Sequence, residues 1–164
     1  MDTLPAVTLT QPTDPETLAV VRELFQEYAH SLGVNLEFQG FENELDTLPG
    51  DYGAPRGAIL LAWVGGAVAG CCALRPLDTS DYPNAAEMKR LYVRKAFRGF
   101  GLGQELAEGT LDAARRAGYA CVLLDTLDDM ESARALYAGL GFEEIPPYYH
   151  NPLPGSHYLK VDID

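Results

Sequence analysis

The stretch with the clearest chemical potential is the run RGFGLG, residues 98–103, which lies between a predicted strand and a predicted helix. Glycines let the backbone approach a ligand closely, and the free amides of a helix N-terminus converge on one point with the positive end of the helix dipole behind them. This arrangement suits a phosphate or pyrophosphate, and taken alone the six residues fit a simple chain reversal equally well. The run is neither the dinucleotide fingerprint GxGxxG nor a P-loop, because no Gly-Lys-Ser/Thr follows.

Alternating strands and helices are predicted on both sides of this run, which indicates an α/β domain with a mixed sheet. Asp14 and Pro15 begin a helix that ends near Gly33. Asp128, with Glu131 three residues later, can cap another helix that stops near Gly141. The other predicted elements are a short first strand at 7–10, a helical turn or two at 41–48, a hairpin of 58–64 with 67–74, a strand at 86–93, a helix at 101–117, a strand at 120–125 and a last strand at 158–161. The strand–helix–strand unit around RGFGLG predicts two parallel strands with a right-handed crossover.

Length and composition predict one folded domain over residues 1–164. The chain is 47% hydrophobic and 22% charged, which excludes a disordered protein. One stretch, 57–74, has 18 residues without a charge and is at the lower limit for a membrane span. Because Gly65 and Gly66 interrupt its middle, we interpret it as a hairpin and predict no membrane association.

The formal charge of −12 argues against nucleic acid as a partner, since it repels polyanions and leaves no basic stripe. The three cysteines are odd in number and form no CxxC, and the three histidines are scattered, so we predict no metal site. Cysteine usage and a first segment without a secretory pattern favour a reducing, cytoplasmic location.

Two motifs carry a resemblance to a known family. The pattern Arg98-x-x-Gly101-x-Gly103 after the strand EMKRLYV, 87–93, resembles the acetyl-CoA motif of the GCN5-related N-acetyltransferases (GNAT). The run ARALYAGLGF, 133–142, is similar to the second motif of that family and follows about thirty residues later. The resemblance implies a GNAT-like fold, with a mostly antiparallel sheet flanked by helices and a central parallel pair of strands that splay apart around the pantetheine arm of CoA.

The resemblance also implies a set of cofactor-binding residues for acetyl-CoA. Main-chain groups of Leu91 and Val93 would meet the pantetheine, and Arg98 and Arg94 would add charge near the phosphates. The pyrophosphate would be held by the amides of Arg98, Gly99, Phe100, Gly101, Leu102 and Gly103. One departure is Met130, where the family often has an asparagine that helps to hold the CoA arm.

For catalysis, the resemblance matches Glu87 to a general-base glutamate and Tyr137 to the tyrosine that protonates the leaving thiolate. A phenol with a pKa near 10 can donate that proton and remain protonated at neutral pH. Two other interpretations stay open: Glu87 as a solvent-facing strand residue, or as a base acting through water, and Tyr137 as a core aromatic residue.

The acceptor is expected to be a primary amine of a small molecule or a protein, attacked directly in a ternary complex. Tyr28, Tyr148, Tyr149 and His150 are the candidate acceptor-binding residues, although the last three equally fit an aromatic-rich surface loop. A non-catalytic acyl-CoA-binding module, and transfer of another acyl group or to a hydroxyl, are the alternatives. A homodimer, common in the family, stays open.

Overall fold

The computed structural model describes residues 6–33, 35–127 and 131–163, and within them the chain forms a mixed sheet with helices on both faces. The strands are β1 (Val7–Thr10), β2 (Ala58–Val64), β3 (Ala67–Pro76), β4 (Ala85–Val93), β5 (Cys121–Leu127), β6 (Glu143–Ile145) and β7 (Ser156–Asp162). The helices are α1 (Pro15–Leu32), α2 (Phe41–Asp46), α3 (Leu102–Arg116) and α4 (Glu131–Gly139). The strand order is β1-β2-β3-β4-β5-β7-β6.

The central feature of the sheet is a parallel pair that separates. All neighbouring strands pair antiparallel except β4 and β5, which pair in parallel over only three positions, from Ala85–Cys121 to Glu87–Leu123. Beyond that point β4 stays with β3 as far as Val93, and β5 stays with β7 as far as Leu127. The sheet therefore splits after Glu87, which confirms the mostly antiparallel fold with a central, splayed parallel pair.

Capping residues and apolar spacing explain the two long helices. The Asp14 side chain accepts a hydrogen bond from the Thr17 amide at 3.2 Å, and Gly33, with a φ of 66°, ends α1 in the left-handed conformation. α1 packs on one face of the sheet with Val21, Leu24 and Phe25 buried. α3 packs on the opposite face and buries the spaced leucines Leu102, Leu106 and Leu111.

The hairpin interpretation of the uncharged stretch is confirmed. β2 and β3 are antiparallel neighbours joined at Gly65 and Gly66, whose φ values of 58° and 86° fit a tight two-residue turn. In the described part of the chain, no helix is both long enough and apolar enough to cross a membrane.

The end of the chain differs from the prediction. β6 (Glu143–Ile145) was not predicted, because a three-residue strand with two exposed glutamates has no alternating apolar pattern. It forms the sheet edge beside β7, which starts two residues earlier than predicted. The predicted cap Asp128 of α4 lies outside the described residues, as does Met130.

A bulge in β4 reorients the side chains next to the split. Tyr92 pairs with Cys71 and Lys89 pairs with Ala73, so two residues of β4 oppose one residue of β3. Arg90, inside the bulge, has a φ of 64°, which is uncommon for a residue other than glycine. Close by, Gly70 lets β3 approach β4, since a Cβ there would lie 2.5 Å from the Tyr92 carbonyl oxygen.

We therefore expect Gly70→Ala to lower the free energy of unfolding by about 1–3 kcal/mol, because the added methyl group would collide with the β4 backbone. Gly139→Ala is the matched control. Its Cβ would meet no atom within 4 Å, and alanine favours the helix by up to about 1 kcal/mol. Urea unfolding of both variants checks the prediction, and equal stabilities would contradict it.

Candidate active site

An open groove lies where β4, the glycine-rich loop, and the N-termini of α3 and α4 meet. We call it the α3 groove, and it is open to solvent. Its lining contains most of the predicted cofactor-binding residues, together with groups from α1 and α4: Tyr28, Leu91, Val93, Arg98, Gly99, Gly101, Leu102, Gly103, Gln104, Ser132, Ala133 and Leu136.

The glycine-rich loop gives the groove a wall of free backbone amides. Gly99 and Gly101 have φ values of 90° and 76°, a conformation that glycine adopts without strain. The first hydrogen bond of α3 runs from the Glu105 amide to the Gly101 carbonyl oxygen, at 3.1 Å. The amides of residues 101–104 precede it and have no partner inside the helix. Phe100 is 54% exposed and does not line the groove, so only its main chain is available there.

The two predicted arginines are placed differently. Arg98 lines the groove, and its Nε donates to the Val93 carbonyl oxygen at 2.9 Å. Arg94 does not line the groove. Its guanidinium donates to both carboxylate oxygens of Glu27, at 2.6 and 3.0 Å, and to the Val68 carbonyl oxygen at 3.3 Å. The expectation that Arg94 adds charge near phosphates does not agree with this placement, because the Glu27 carboxylate already neutralises the guanidinium on the α1 side.

A second cavity occupies the gap between β4 and β5, and we call it the split cavity. It is much smaller than the α3 groove. It adjoins the α3 groove, because Tyr28 and Leu91 line both. Its lining residues are Tyr28, Leu32, Leu36, Gln39, Met88, Lys89, Arg90, Leu91, Asp125, Thr126, Leu127, Tyr137 and Leu153.

Tyr137 is both a core residue and a wall of the split cavity. It is 6% exposed, and its ring packs edge-on against Phe142 with centroids 5.5 Å apart. Among the described residues, none forms a hydrogen bond with its hydroxyl group. Burial raises the pKa of Tyr137 well above its ordinary value, so the hydroxyl keeps its proton at neutral pH.

Glu87 is buried at the last paired position before the split, so the solvent-facing interpretation is wrong. Its Oε1 accepts from Arg75 Nε at 2.8 Å, and its Oε2 accepts from the Tyr148 hydroxyl at 2.6 Å. Burial raises the pKa of the carboxyl, but Lys89, Arg75 and the Tyr148 hydrogen bond outweigh it and lower the pKa below its ordinary value. A carboxylate with both oxygens occupied and a low pKa is a weak base, so this geometry favours a positioning role for Glu87.

The residues before β7 are attached to the sheet rather than free on the surface. Tyr148 donates to Glu87, and Tyr149 donates to Asp125 Oδ2 at 2.6 Å. The two rings also pack on Tyr158, with centroids 5.3 and 5.6 Å away. His150 is exposed, and neither it nor Tyr148 nor Tyr149 lines either cavity. Of the four acceptor-binding candidates, Tyr28 alone is in a cavity wall.

Sequence reasoning missed the charged residues of β4 and their partners. The Arg90 guanidinium donates to both oxygens of Glu44, at 2.9 and 3.0 Å, and to Gln39 Oε1 at 2.9 Å. Lys89 and Arg90 interrupt the apolar residues of a central strand, and such an interruption was the available signal. In the described part of the chain, no cluster of three or more His, Cys, Asp or Glu residues could hold a metal ion.

Comparison with known proteins decides the family. Residues 19–142 match the sequence profile of the Acetyltransferase (GNAT) family. The chain belongs to the GNAT acetyltransferase family. This acetyltransferase is 38% identical over 150 residues to an uncharacterised N-acetyltransferase of Schizosaccharomyces pombe, covering 91% of the chain and 90% of that relative.

Solved structures share the fold of this acetyltransferase. A GNAT-family acetyltransferase of Staphylococcus aureus Mu50 superimposes with a TM-score of 0.78 at 18% identity, covering 97% of this chain and all of that chain. YncA of Salmonella typhimurium, assigned as an acetyltransferase and solved with its cofactor acetyl-CoA, gives a TM-score of 0.67 at 20% identity, covering 97% and 95% of the two chains. The structural likeness extends over both cavities.

The low pKa of Glu87 predicts an acid-sensitive contribution to stability. The folded state favours the carboxylate more than the unfolded state, where the pKa is near 4.5. The contribution is therefore complete above that pH and is lost as the pH falls through the lower, folded-state pKa. We expect Glu87→Gln to lower the free energy of unfolding by at least about 2 kcal/mol at neutral pH, because Arg75 and Lys89 lose their carboxylate.

Urea unfolding between neutral pH and about pH 3.5 measures the difference between wild type and Glu87→Gln, which should shrink below pH 4.5. Glu42→Gln, at an exposed position of α2, is the control and should match wild type throughout. A difference that stays constant over the whole range would show that the Glu87 charge does not stabilise the fold.

Proposed function

We propose that this enzyme transfers an acetyl group from acetyl-CoA to a primary amine by direct attack within a ternary complex. The observation that carries the proposal is the continuity between the α3 groove and the split cavity at Tyr28 and Leu91. The groove offers backbone amides for the phosphates of CoA, and the adjoining cavity contains the Tyr137 side chain. Acetyl-CoA in the related fold of YncA supports the choice of cofactor.

The free amides of 101–104 would hold the pyrophosphate at the positive end of the α3 dipole. The Arg98 side chain would add a cation beside it, which matters in a protein with a net charge of −12. Leu91 and Val93 line the groove beyond the split, and their main-chain groups would meet the pantetheine amides. Arg94 is not part of this proposal, because Glu27 already binds its guanidinium.

The reaction needs few side chains. The acceptor ammonium, with a pKa near 10, first loses a proton to water, and the neutral amine attacks the thioester carbonyl. A new C–N bond forms, the C–S bond breaks, and the nitrogen releases a second proton to solvent. Tyr137 lies in the cavity wall with its proton retained and would donate it to the leaving thiolate, after which solvent restores the phenol. The products are the amide, CoA and one released proton.

The protonated Tyr137 phenol in the cavity wall favours an enzyme over a non-catalytic acyl-CoA-binding module. A module that only binds CoA needs the α3 groove but has no use for a buried, protonated phenol facing the split. A small-molecule or protein amine is the proposed acceptor, and the excess of 24 acidic over 12 basic residues argues against nucleic acid. We also propose the cytoplasm as the location, supported by three buried cysteines that form no disulfide.

A calorimetric titration tests the cofactor site. We expect saturable binding of acetyl-CoA with a micromolar Kd, and weaker binding of a CoA that lacks the 3′-phosphate. Arg98→Ala should raise the Kd about tenfold, because a charge-assisted contact is worth about 1.5–3 kcal/mol. Arg116→Ala, at the opposite end of α3, removes the same charge and should leave the Kd unchanged. Absence of binding at millimolar ligand would reject the site.

A second test concerns the leaving group. Tyr137→Phe should lower kcat at least about tenfold, equivalent to roughly 1.4 kcal/mol, with little change in the Kd of acetyl-CoA. Tyr119→Phe is the matched control, since Tyr119 is equally buried and donates to the Arg56 carbonyl oxygen away from both cavities. Steady-state kinetics with any accepted amine gives kcat for both variants. An unchanged kcat in Tyr137→Phe would show that the phenol does not protonate the leaving thiolate.

A further inference from the structure

Two opposite charges face each other across the opening of the split. Glu87 and Leu123 are the last paired residues of β4 and β5, so Lys89 and Asp125 lie two positions beyond them at matching register. Side chains two positions apart on a strand share a face, which places both on the face occupied by Glu87. Both line the split cavity. No ion pair joins them directly in the described structure, so each is available to a third group.

The Lys89 ammonium is buried without a hydrogen bond. Its side chain is only 4% exposed, and its nearest acidic partner, Glu87 Oε1, is 4.0 Å away, beyond hydrogen-bond distance. Within the described residues, no side-chain nitrogen or oxygen is both shut off from solvent and unbonded. The ammonium must therefore be reachable from the cavity, with three donors unused.

Asp125 is held in place with one oxygen left over. Its Oδ2 accepts from the Tyr149 hydroxyl at 2.6 Å and from Asn151 Nδ2 at 3.1 Å. Its Oδ1 accepts no hydrogen bond from the described residues. Asp125 and Tyr137 both line the split cavity.

The third charged residue of the cavity wall is already neutralised. Arg90 is bound by both oxygens of Glu44 and by Gln39. An incoming ligand therefore meets the Lys89 ammonium, which has only a 4.0 Å ion pair with Glu87 and no hydrogen bond, and the open Oδ1 of Asp125. A polyamine or an aminoglycoside would place a second positive charge against Lys89, at a cost that rises in a buried site.

We propose that the acceptor is a small amino acid or a close analogue, whose carboxylate binds the Lys89 ammonium while its amine lies against Asp125 Oδ1. This inference rests on the proposed acetyl transfer and specifies its substrate class. The carboxylate would fill the donors that Lys89 leaves unused, and the paired charges of a zwitterion match those of the cavity. The buried setting of Lys89 in the cavity wall suits a compact ligand rather than a protein chain.

The test compares amines that differ only in the carboxylate. The purified enzyme and acetyl-CoA are incubated with each of the common amino acids, with the corresponding amino acid amides, and with the amines that lack the carboxyl group, and CoA release is measured. We expect kcat/KM for the best amino acid to exceed that for its amide at least tenfold. Lys89→Met should raise the KM for the amino acid, so that the ratio of its kcat/KM to that of the amide falls to near one. Lys89→Arg should restore most of this ratio.

Two controls separate binding of the acceptor from folding and from cofactor binding. Lys160→Met removes a lysine that pairs with Asp162 on β7, outside both cavities, and should keep the wild-type ratio. The Kd of acetyl-CoA should be the same in all variants, which shows that each is folded. If acetyl-CoA does not bind wild type, the proposed function itself fails.

Other outcomes reject only the acceptor class. If the enzyme turns over with amides or simple amines as well as with the amino acids, the carboxylate is not recognised. If acetyl-CoA binds but no amino acid is acetylated, the class is wrong. If Lys89→Met keeps the wild-type preference for amino acids over their amides, a residue other than Lys89 binds the carboxylate.

Discussion

The separation of β4 from β5 after Glu87 and Leu123 is the constraint on which the rest of this structure depends. Two strands that part inside a sheet expose backbone amides and carbonyls along both facing edges, and buried backbone groups need partners. In the free protein, water that enters the gap can bond to these groups. A ligand that carries amide groups of its own can satisfy them well. The binding site thus forms where the pairing of β4 and β5 stops.

Charged side chains keep the gap open. On the β4 side, Glu87 is bound by Arg75 and Tyr148, and Arg90 turns out of the strand at the bulge to meet Glu44. On the β5 side, Tyr149 binds Asp125. Apolar residues at these positions would favour contact between the two strands, because removing apolar surface from water lowers the free energy. Buried ionic groups with bonded partners instead hold fixed positions and define one geometry.

Much of this was predictable from sequence, for identifiable reasons. The order of elements, the Asp14 cap, the Gly65-Gly66 turn and the parallel pair follow from local propensities and from connection rules that do not depend on distant contacts. The glycine-rich loop was recognisable because its glycines serve backbone conformation. The roles of Glu87 and Arg94 were not predictable, because they depend on Arg75, Tyr148 and Glu27, which are distant in sequence and become neighbours only in the folded sheet. The short strand β6 depends on pairing with β7 and has no local signal.

The hydrogen bonds from Tyr148 and Tyr149 to strand carboxylates have a consequence for how this enzyme can change over evolution. In many enzymes the loop that contacts the acceptor varies freely, since the scaffold does not depend on it. Here the same two residues supply donors to a buried glutamate and a half-buried aspartate. Replacing Tyr148 would leave Glu87 Oε2 without that donor, and replacing Tyr149 would leave Asp125 Oδ2 with Asn151 alone. New specificity should therefore arise more easily from the α1 and α2 side of the cavity, where Leu32 and Leu36 contribute only shape.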